Sequence, residues 1–391
     1  MSATTPTVTA APPIWRNVRV LRWAFQAVFL LVVGLFLLYL WGNLTDNLER
    51  LGIRTDFRYL RQPSGFAIPD SDFRSSQSIF QALLVGAQNT AKVAFLGILL
   101  ATVLGIVVGV ARLSTNWLVR RTAALYVESL RNIPVLIIII FWWAAVFLNL
   151  RPFDEGSDVL GILSISNRGL VLPWVERSGS VAVFLGVLAL TAAAIAVVIR
   201  WRTQRFDATG EPHHRALWGA GVLLLGVALG YLASGRPFTL SLPEPARFGA
   251  TGGLNLSPAF GALLIALVLY TASHIAEIVR GSILAVQRGQ SEAANALGLS
   301  GFQRMRYVVL PQAFRISVPP MANQYLNLTK NSSLGIAIGY YEMTRITGIS
   351  ISQGGPAPQA ILVLMLFYLA FSLFIALVTN VINRRLEIKG R

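Results

Sequence analysis

The sequence predicts an all-α membrane protein with about eight transmembrane helices. Three observations carry that expectation. Of the 391 residues, 54% are hydrophobic and 13% charged, against about 25% charged in a soluble globular chain. Uncharged stretches recur along the chain, each close to the ~20 residues that a helix needs to cross ~30 Å of hydrocarbon. The 33 Lys and Arg, set against 17 Asp and Glu, gather between alternate stretches. The absence of cysteine excludes a disulfide scaffold and a thiolate metal site. A net charge of +16 would also suit a nucleic-acid binder, but such a protein clusters its cations on a soluble domain. Here they are dispersed among short loops.

In chain order, residues 1–22 read as a tail whose Thr/Pro/Ala-rich start, Met1–Pro13, is disordered by composition. Residues 23–42 form an anchor helix behind Arg16, Arg19 and Arg22. It is too long for a signal-peptide core, and Asn43-Leu44-Thr45-Asp46 is no small-residue cleavage site. Residues 43–85 form an extracytoplasmic loop, long enough over Asn43–Ser78 to hold a small element of its own. Val93–Ala111 is the second span, with Lys92 at its end, where it can snorkel to the interface. Ala123–Leu150 is the third, carrying Glu128 and Arg131 and interrupted at Pro134. A mixed loop, Arg151–Gly179, leads to two bland spans, Ser180–Ile199 and Ala216–Ser234, which suit packing or scaffold. The Pro/Gly-rich stretch Gly235–Ser257 precedes the sixth span, Pro258–Ala276. The seventh, Ile316–Tyr341, is rich in Asn, Ser and Gly, and the eighth, Ala360–Asn383, is apolar before the tail 384–391.

Eight spans put both termini on one side. With the termini in the cytoplasm, the inner segments hold nineteen cations and four acids, whereas the outer segments hold eleven of each. That asymmetry follows the positive-inside rule and supports cytoplasmic termini.

The most informative stretch is Glu292-Ala293-Ala294-Asn295-Ala296-Leu297-Gly298, followed nine residues later by Val308-Val309-Leu310-Pro311. It predicts a short helix, a break at Gly298 and a second helical start on the cytoplasmic side. Gly298 suits the left-handed position just past a helix end. Ser300 and Gln303 have capping-box spacing, and Pro311 is expected to end or kink the second helix. Ala293, Ala294 and Leu297 are expected to form a small apolar face that seats in a partner's groove.

This loop resembles that of the permease subunits of binding-protein-dependent ABC importers, and the flanking residues resemble the polar and general L-amino-acid subgroup. Tyr270, His274, Glu277, Arg280 and Gly281 resemble the helix before the loop, and Asn327 with Lys330-Asn331-Ser332-Ser333-Leu334 resembles the segment after it. Tyr126, Glu128 and Arg131-Asn132-Ile133-Pro134 resemble an upstream family segment. Asn132-Ile133 stands where Gly-Thr is usual and Asn331 where Asp is usual, which leaves the substrate side chain open. The resemblance covers about Gly86–Leu150 and Ser257–Asn383. It implies a type I ABC importer transmembrane domain over 86–383, with a five-helix core (86–150 and 257–383) interrupted by an insertion (151–256). The anchor helix and the inserted pair are extra, as in the longer permeases of that subgroup. The resemblance further implies a bacterial inner-membrane permease that passes L-amino acids, with no catalytic residue and no metal. ATP and magnesium would be held by a partner ATP-binding cassette subunit, docked on Glu292, Ala293, Ala294, Leu297, Gly298, Leu310 and Pro311. A second permease, a paralogue in this subgroup, and a periplasmic amino-acid-binding protein would complete the assembly, with no nucleic acid.

The residues themselves agree that energy must come from elsewhere. A P-loop needs Gly-Lys before Ser or Thr, and Lys92, Lys330 and Lys389 follow Ala, Thr and Ile. Ionisable groups inside a span each require a reason. Glu128 with Arg131, and Glu277 with Arg280, are spaced by one helical turn and suit pairing, in a structural or gating role. Asn323, Asn327 and Asn331 fall on one stripe beside Lys330, with Ser332 and Ser333 following. That stripe either lines a translocation path, meeting a carboxylate, or bonds between helices. His274 is a further path candidate. An ion-coupled secondary transporter of amino acids is the main alternative. It would be expected to show mid-membrane carboxylates and related halves. A membrane-embedded enzyme is disfavoured by three histidines, no cysteine and no His-Glu-x-x-His.

Overall fold

The computed structural model describes residues 18–52, 56–69, 71–152, 158–159, 163–177, 180–210, 214–246 and 249–386. The predicted tails, 1–22 and 384–391, lie outside the described residues over 1–17 and 387–391. Helix α1 (Val18–Arg50) is followed by a 3-10 turn at Arg58–Arg61, α2 (Ile79–Ala111), α3 (Trp117–Asn132) and α4 (Val135–Ile140). Short strands β1 (Asp158–Val159), β2 (Leu163–Ser166), β3 (Gly169–Leu172) and β4 (Trp174–Arg177) precede the hairpin of α5 (Val181–Thr209) and α6 (Arg215–Ala233). Four more strands follow, β5 (Phe238–Ser241), β6 (Glu244–Ala246), β7 (Gly249–Thr251) and β8 (Leu254–Leu256). The chain ends with α7 (Pro258–Leu284), α8 (Arg288–Ala296), α9 (Gly301–Arg304), α10 (Leu310–Asn331), α11 (Met343–Ser352) and α12 (Ala357–Leu386).

Helix α7 is the centre of the bundle. In its most apolar stretch 61% of the residues are buried, against 33% in the corresponding stretch of α2 and none in that of α1. The partner it packs against most extensively is α2. In lipid no hydrophobic effect drives two helices together, so close approach over small residues supplies the attraction. A side chain built on Gly105 would lie 2.6 Å from Cβ of Ile275, and one on Gly109 would lie 2.7 Å from the carbonyl oxygen of Ala276. Gly97 lets Leu328 of α10 close on the same helix. Val93, Ala94, Leu263, Leu267, Ile275 and Leu328 form the dry centre of this contact.

Among the described residues six helices are long and apolar enough to cross a membrane, or seven if one bent pair counts as a single span. That pair is the predicted third span: α3 and the segment Val135–Asn149 meet at a 106° bend. Pro134 stands at the start of α4, where its missing N–H costs nothing and the preceding residue is held extended. The predicted seventh span is present as α10, continued by a 3-10 turn over Ser332–Ile338, but it is too polar to rank with the other six.

The regions expected to be loops hold structure. Helix α2 starts at Ser78 through a capping box with Gln81, well before the predicted span. The extra turns carry Ile79, Ala82 and Leu83 into a second core with Tyr59, Ile68 and Phe73 of the preceding loop and Met343, Ile346 and Ala360 beyond. Glu342, wholly buried, caps α11 by accepting the N–H groups of Thr344 and Arg345, both at 2.7 Å. The inserted region adds a four-stranded sheet of order β1-β2-β3-β8 and two strand pairs, β4 with β5 and β6 with β7. Because β3 pairs with β8 and β4 with β5, both flanks of the α5–α6 hairpin lie at the same end of the bundle, here the strand end. Helices α8 and α9 lie at the opposite, motif end. The hairpin packs on itself and not extensively on α2 or α7.

Gly105→Leu is expected to cost at least about 1–3 kcal/mol by overpacking α2 against α7, read as a lower thermal unfolding midpoint of the detergent-purified protein. Gly186→Leu on α5, where an added Cβ meets nothing within 4 Å, leaves that midpoint unchanged.

Candidate functional site

At the motif end the chain leaves α7 and forms α8, a helix too short to be stable alone. Its end is closed by two backbone hydrogen bonds: the N–H of Gly298 donates to the carbonyl of Asn295 at 2.9 Å, and that of Leu299 donates to the carbonyl of Ala294 at 3.1 Å. Gly298 has φ +74°, a conformation in which a Cβ is strained. The next helix opens with Ser300 and Gln303 capping one another, at 3.4 and 2.9 Å. Arg304 Nη1 donates to Asn295 Oδ1 at 2.7 Å, and Gln312 Nε2 donates to Gln290 Oε1 at 3.3 Å. These two bonds fix α8 against the helix that follows it. Pro311 neither ends that helix nor breaks its path. A π-helical turn over Met305–Val309 absorbs the perturbation, and Pro311 sits in the first turn of α10.

Glu292, Ala293, Leu297 and Gly298 are exposed, whereas Ala294 is 3% exposed and turned into the chain. The face expected of Ala293, Ala294 and Leu297 is therefore carried by Ala293 and Leu297 alone, because one turn of helix must rest on its own support. Leu297 is 80% exposed and Phe302, which sequence reasoning did not single out, is 71% exposed. Leu310 and Pro311 are also exposed, about two turns beyond Phe302. Two large apolar side chains standing out beside capped helix ends make a compact surface for a partner to cover.

Beneath this surface lies a charge cluster. Arg280 Nη2 lies 2.5 Å from Glu277 Oε1, and Arg112 Nη1 pairs with Glu277 Oε2. The Arg112 side chain is 14% exposed, so the carboxylate beside it offsets much of the cost of burying its charge. The expected pair of Glu128 with Arg131 is replaced: Glu128 lies 3.9 Å from Arg112 instead. Helix α3 is set across the bundle by the bend at Pro134, which turns Glu128 toward the end of α2. Glu277 thus ties the end of α2 to the end of α7 where the motif segment departs.

The polar stripe lies on the outward face of α10. Asn323, Asn327 and Lys330 are exposed, Asn331 and Ser333 half-buried, while Leu328 and Thr329 on the other face are fully buried. Ser332 is also fully buried, its hydroxyl donating to the carbonyl of Thr329 at 2.7 Å. The structure therefore brings Asn323, Asn327 and Lys330 together and turns Ser332 away from them. His274 stands edge-on to Tyr270 at 4.8 Å between centroids, with its Nε2 buried and without a hydrogen-bond partner among the described residues.

The family model of the binding-protein-dependent transport system inner membrane component matches residues 101–388. The general L-amino acid transport system permease protein of Rhizobium johnstonii is 39% identical, over 94% of this chain and 92% of that one. The glutamate/glutamine/aspartate/asparagine transport system permease protein of Rhodobacter capsulatus is 37% identical, over 94% of this chain and 93% of its own. The glutamate/aspartate import permease protein of Escherichia coli is 35% identical over 64% of this chain and 96% of its own length.

Glu277→Gln removes the nearer carboxylate from Arg112 and leaves it only the more distant, mostly exposed Glu128. For a buried pair this costs about 3–5 kcal/mol, and less here because both groups keep some solvent. Thermal unfolding of the purified protein should rank Glu277→Gln as clearly destabilised and Glu128→Gln, whose carboxylate is 67% exposed, as near wild type.

Proposed function

Because the chain belongs to the binding-protein-dependent transport system inner membrane component family, we propose that it is the permease subunit of an ATP-driven importer of L-amino acids. It forms the translocation path across the bacterial inner membrane. Two relatives that each match over nine-tenths of this chain are amino-acid permeases by name, and they support the substrate class. The observation that carries the coupling is the motif end: a rigidly capped short helix presenting Leu297 and Phe302, held on the α2–α7 ends by Glu277. That surface docks a separate ATPase subunit, which binds ATP and magnesium, and docking moves α7 and α10 directly because α8 and α9 join them. The excess of cations in the segments at this end supports a cytoplasmic face with both termini on it.

The strand end then faces the periplasm, where a binding protein delivers the amino acid. The outward stripe of Asn323, Asn327 and Lys330 suits an interface with a second permease, a paralogue, where the path runs. An ion-coupled transporter would need carboxylates at mid-membrane. Glu277 lies instead in an arginine cluster at one end, about 28 Å along α7 from its first residue at 1.5 Å per residue.

In vesicles holding the whole complex, uptake should require ATP and persist with a protonophore. Gly298→Asp, which strains the cap and places a charge beside Leu297, is expected to abolish co-purification with the ATPase. Uptake that needs no ATP and collapses with the protonophore would refute the reading.

A further inference from the structure

At the strand end lies a cavity of about 480 Å³, walled by helices α2 and α7 and roofed by the β2–β3 turn and β8. Two cations line it from different parts of the chain: Lys92 from α2, and Arg168 from the turn between β2 and β3. Among the described residues no carboxylate lines the cavity, and neither cation has one within ion-pair distance. The first turn of α7, capped by Ser257 accepting the N–H of Phe260 at 3.3 Å, opens on the same space and adds partial positive charge. Lys92 and Arg168 are both exposed residues on the lining of one partly enclosed cavity, with no carboxylate beside them among the described residues, and an anion entering the cavity is attracted by both.

The chamber also has neutral polar walls. Asn89 spends its amide N–H on the carbonyl of Tyr341 at 2.9 Å, which leaves its side-chain oxygen as an acceptor. Asn255 adds a second amide from β8. Lys92 lies twenty residues before Arg112 on α2, about 30 Å at 1.5 Å per residue, so the chamber stands one membrane thickness from the charge cluster at the motif end. Snorkelling accounts for Lys92 alone, but not for Arg168 brought to it by a strand turn.

We propose that this chamber receives an acidic amino acid, with its two carboxylates held by Lys92 and Arg168 and its ammonium facing the side-chain oxygen of Asn89. The inserted strands supply the roof and one of the two cations, so the insertion acts in substrate selection. This rests on the permease reading, with the chamber on the delivery side.

The test uses the complete importer in vesicles, with its binding protein and ATP, and measures L-glutamate and L-glutamine uptake side by side. For the double variant Lys92→Met, Arg168→Gln, glutamate kcat/KM should fall at least about tenfold more than glutamine kcat/KM, because glutamate loses two charge-assisted contacts and glutamine, with a single carboxylate, loses one. Lys92→Arg, which keeps the charge, should retain glutamate uptake. Equal loss of both substrates, as from failed docking of the binding protein or failed assembly, would overturn the proposal. So would unchanged glutamate uptake in the double variant, or a wild-type complex that carries no acidic amino acid. If wild-type uptake runs without ATP, the permease reading fails, and a selective glutamate loss would still assign the chamber.

Discussion

The contact of α2 with α7 is the constraint on which the other parts depend. Helices in lipid gain little from burying apolar side chains against each other, so their backbones must approach closely. Gly105 and Gly109 permit that approach against Ile275 and Ala276. One turn beyond the second glycine the chain places Arg112, and one turn beyond Ala276 it places Arg280, with Glu277 between them. Steric fit in the span and charge pairing at its end therefore act on the same two helices. Moving either helix along the other would separate Glu277 from Arg112 and drive a glycine contact into a side chain.

Everything at the motif end is anchored to that pair. Helix α8 leaves directly from α7, and its capped end leads into α10, which returns along α2 and α7 with Leu328 against Gly97. Force applied at Leu297 and Phe302 has no slack loop to dissipate in, since Gly298, Ser300, Gln303 and Arg304 are each held by hydrogen bonds. The π-helical turn before Pro311 is the irregular step in this path, and such turns mark places where a helix can yield. At the other end Glu342 and the second core lock α11 and the start of α2 into one block.

Much of the local structure at the motif end was legible in the sequence, because capping and one-turn charge placement are local. Gly298 has the left-handed backbone expected of it, and Ser300 with Gln303 forms the capping box that the spacing suggests. The Glu277–Arg280 pair formed as its one-turn spacing implies. Pairings across the chain were not legible: Arg112 follows directly on the predicted second span, Val93–Ala111, and only the fold brings it to Glu277. The strands were hidden for a different reason. In β2 burial alternates, but the inward residues are Ser164 and Ser166, so no apolar period announces a strand. Ala294 was misjudged because a one-face helix pattern does not say which side rests on its own chain.

The central claim is that the motif end meets the ATPase on the cytoplasmic side, and the chain's lack of cysteine makes it directly measurable. A photoactivatable thiol-reactive probe is attached to Leu297→Cys in the assembled complex, and its cross-linked product is identified. A covalent link to the ATPase subunit is the expected result. A link to the periplasmic binding protein, or labelling of that cysteine by an impermeant reagent added outside intact spheroplasts, would contradict it.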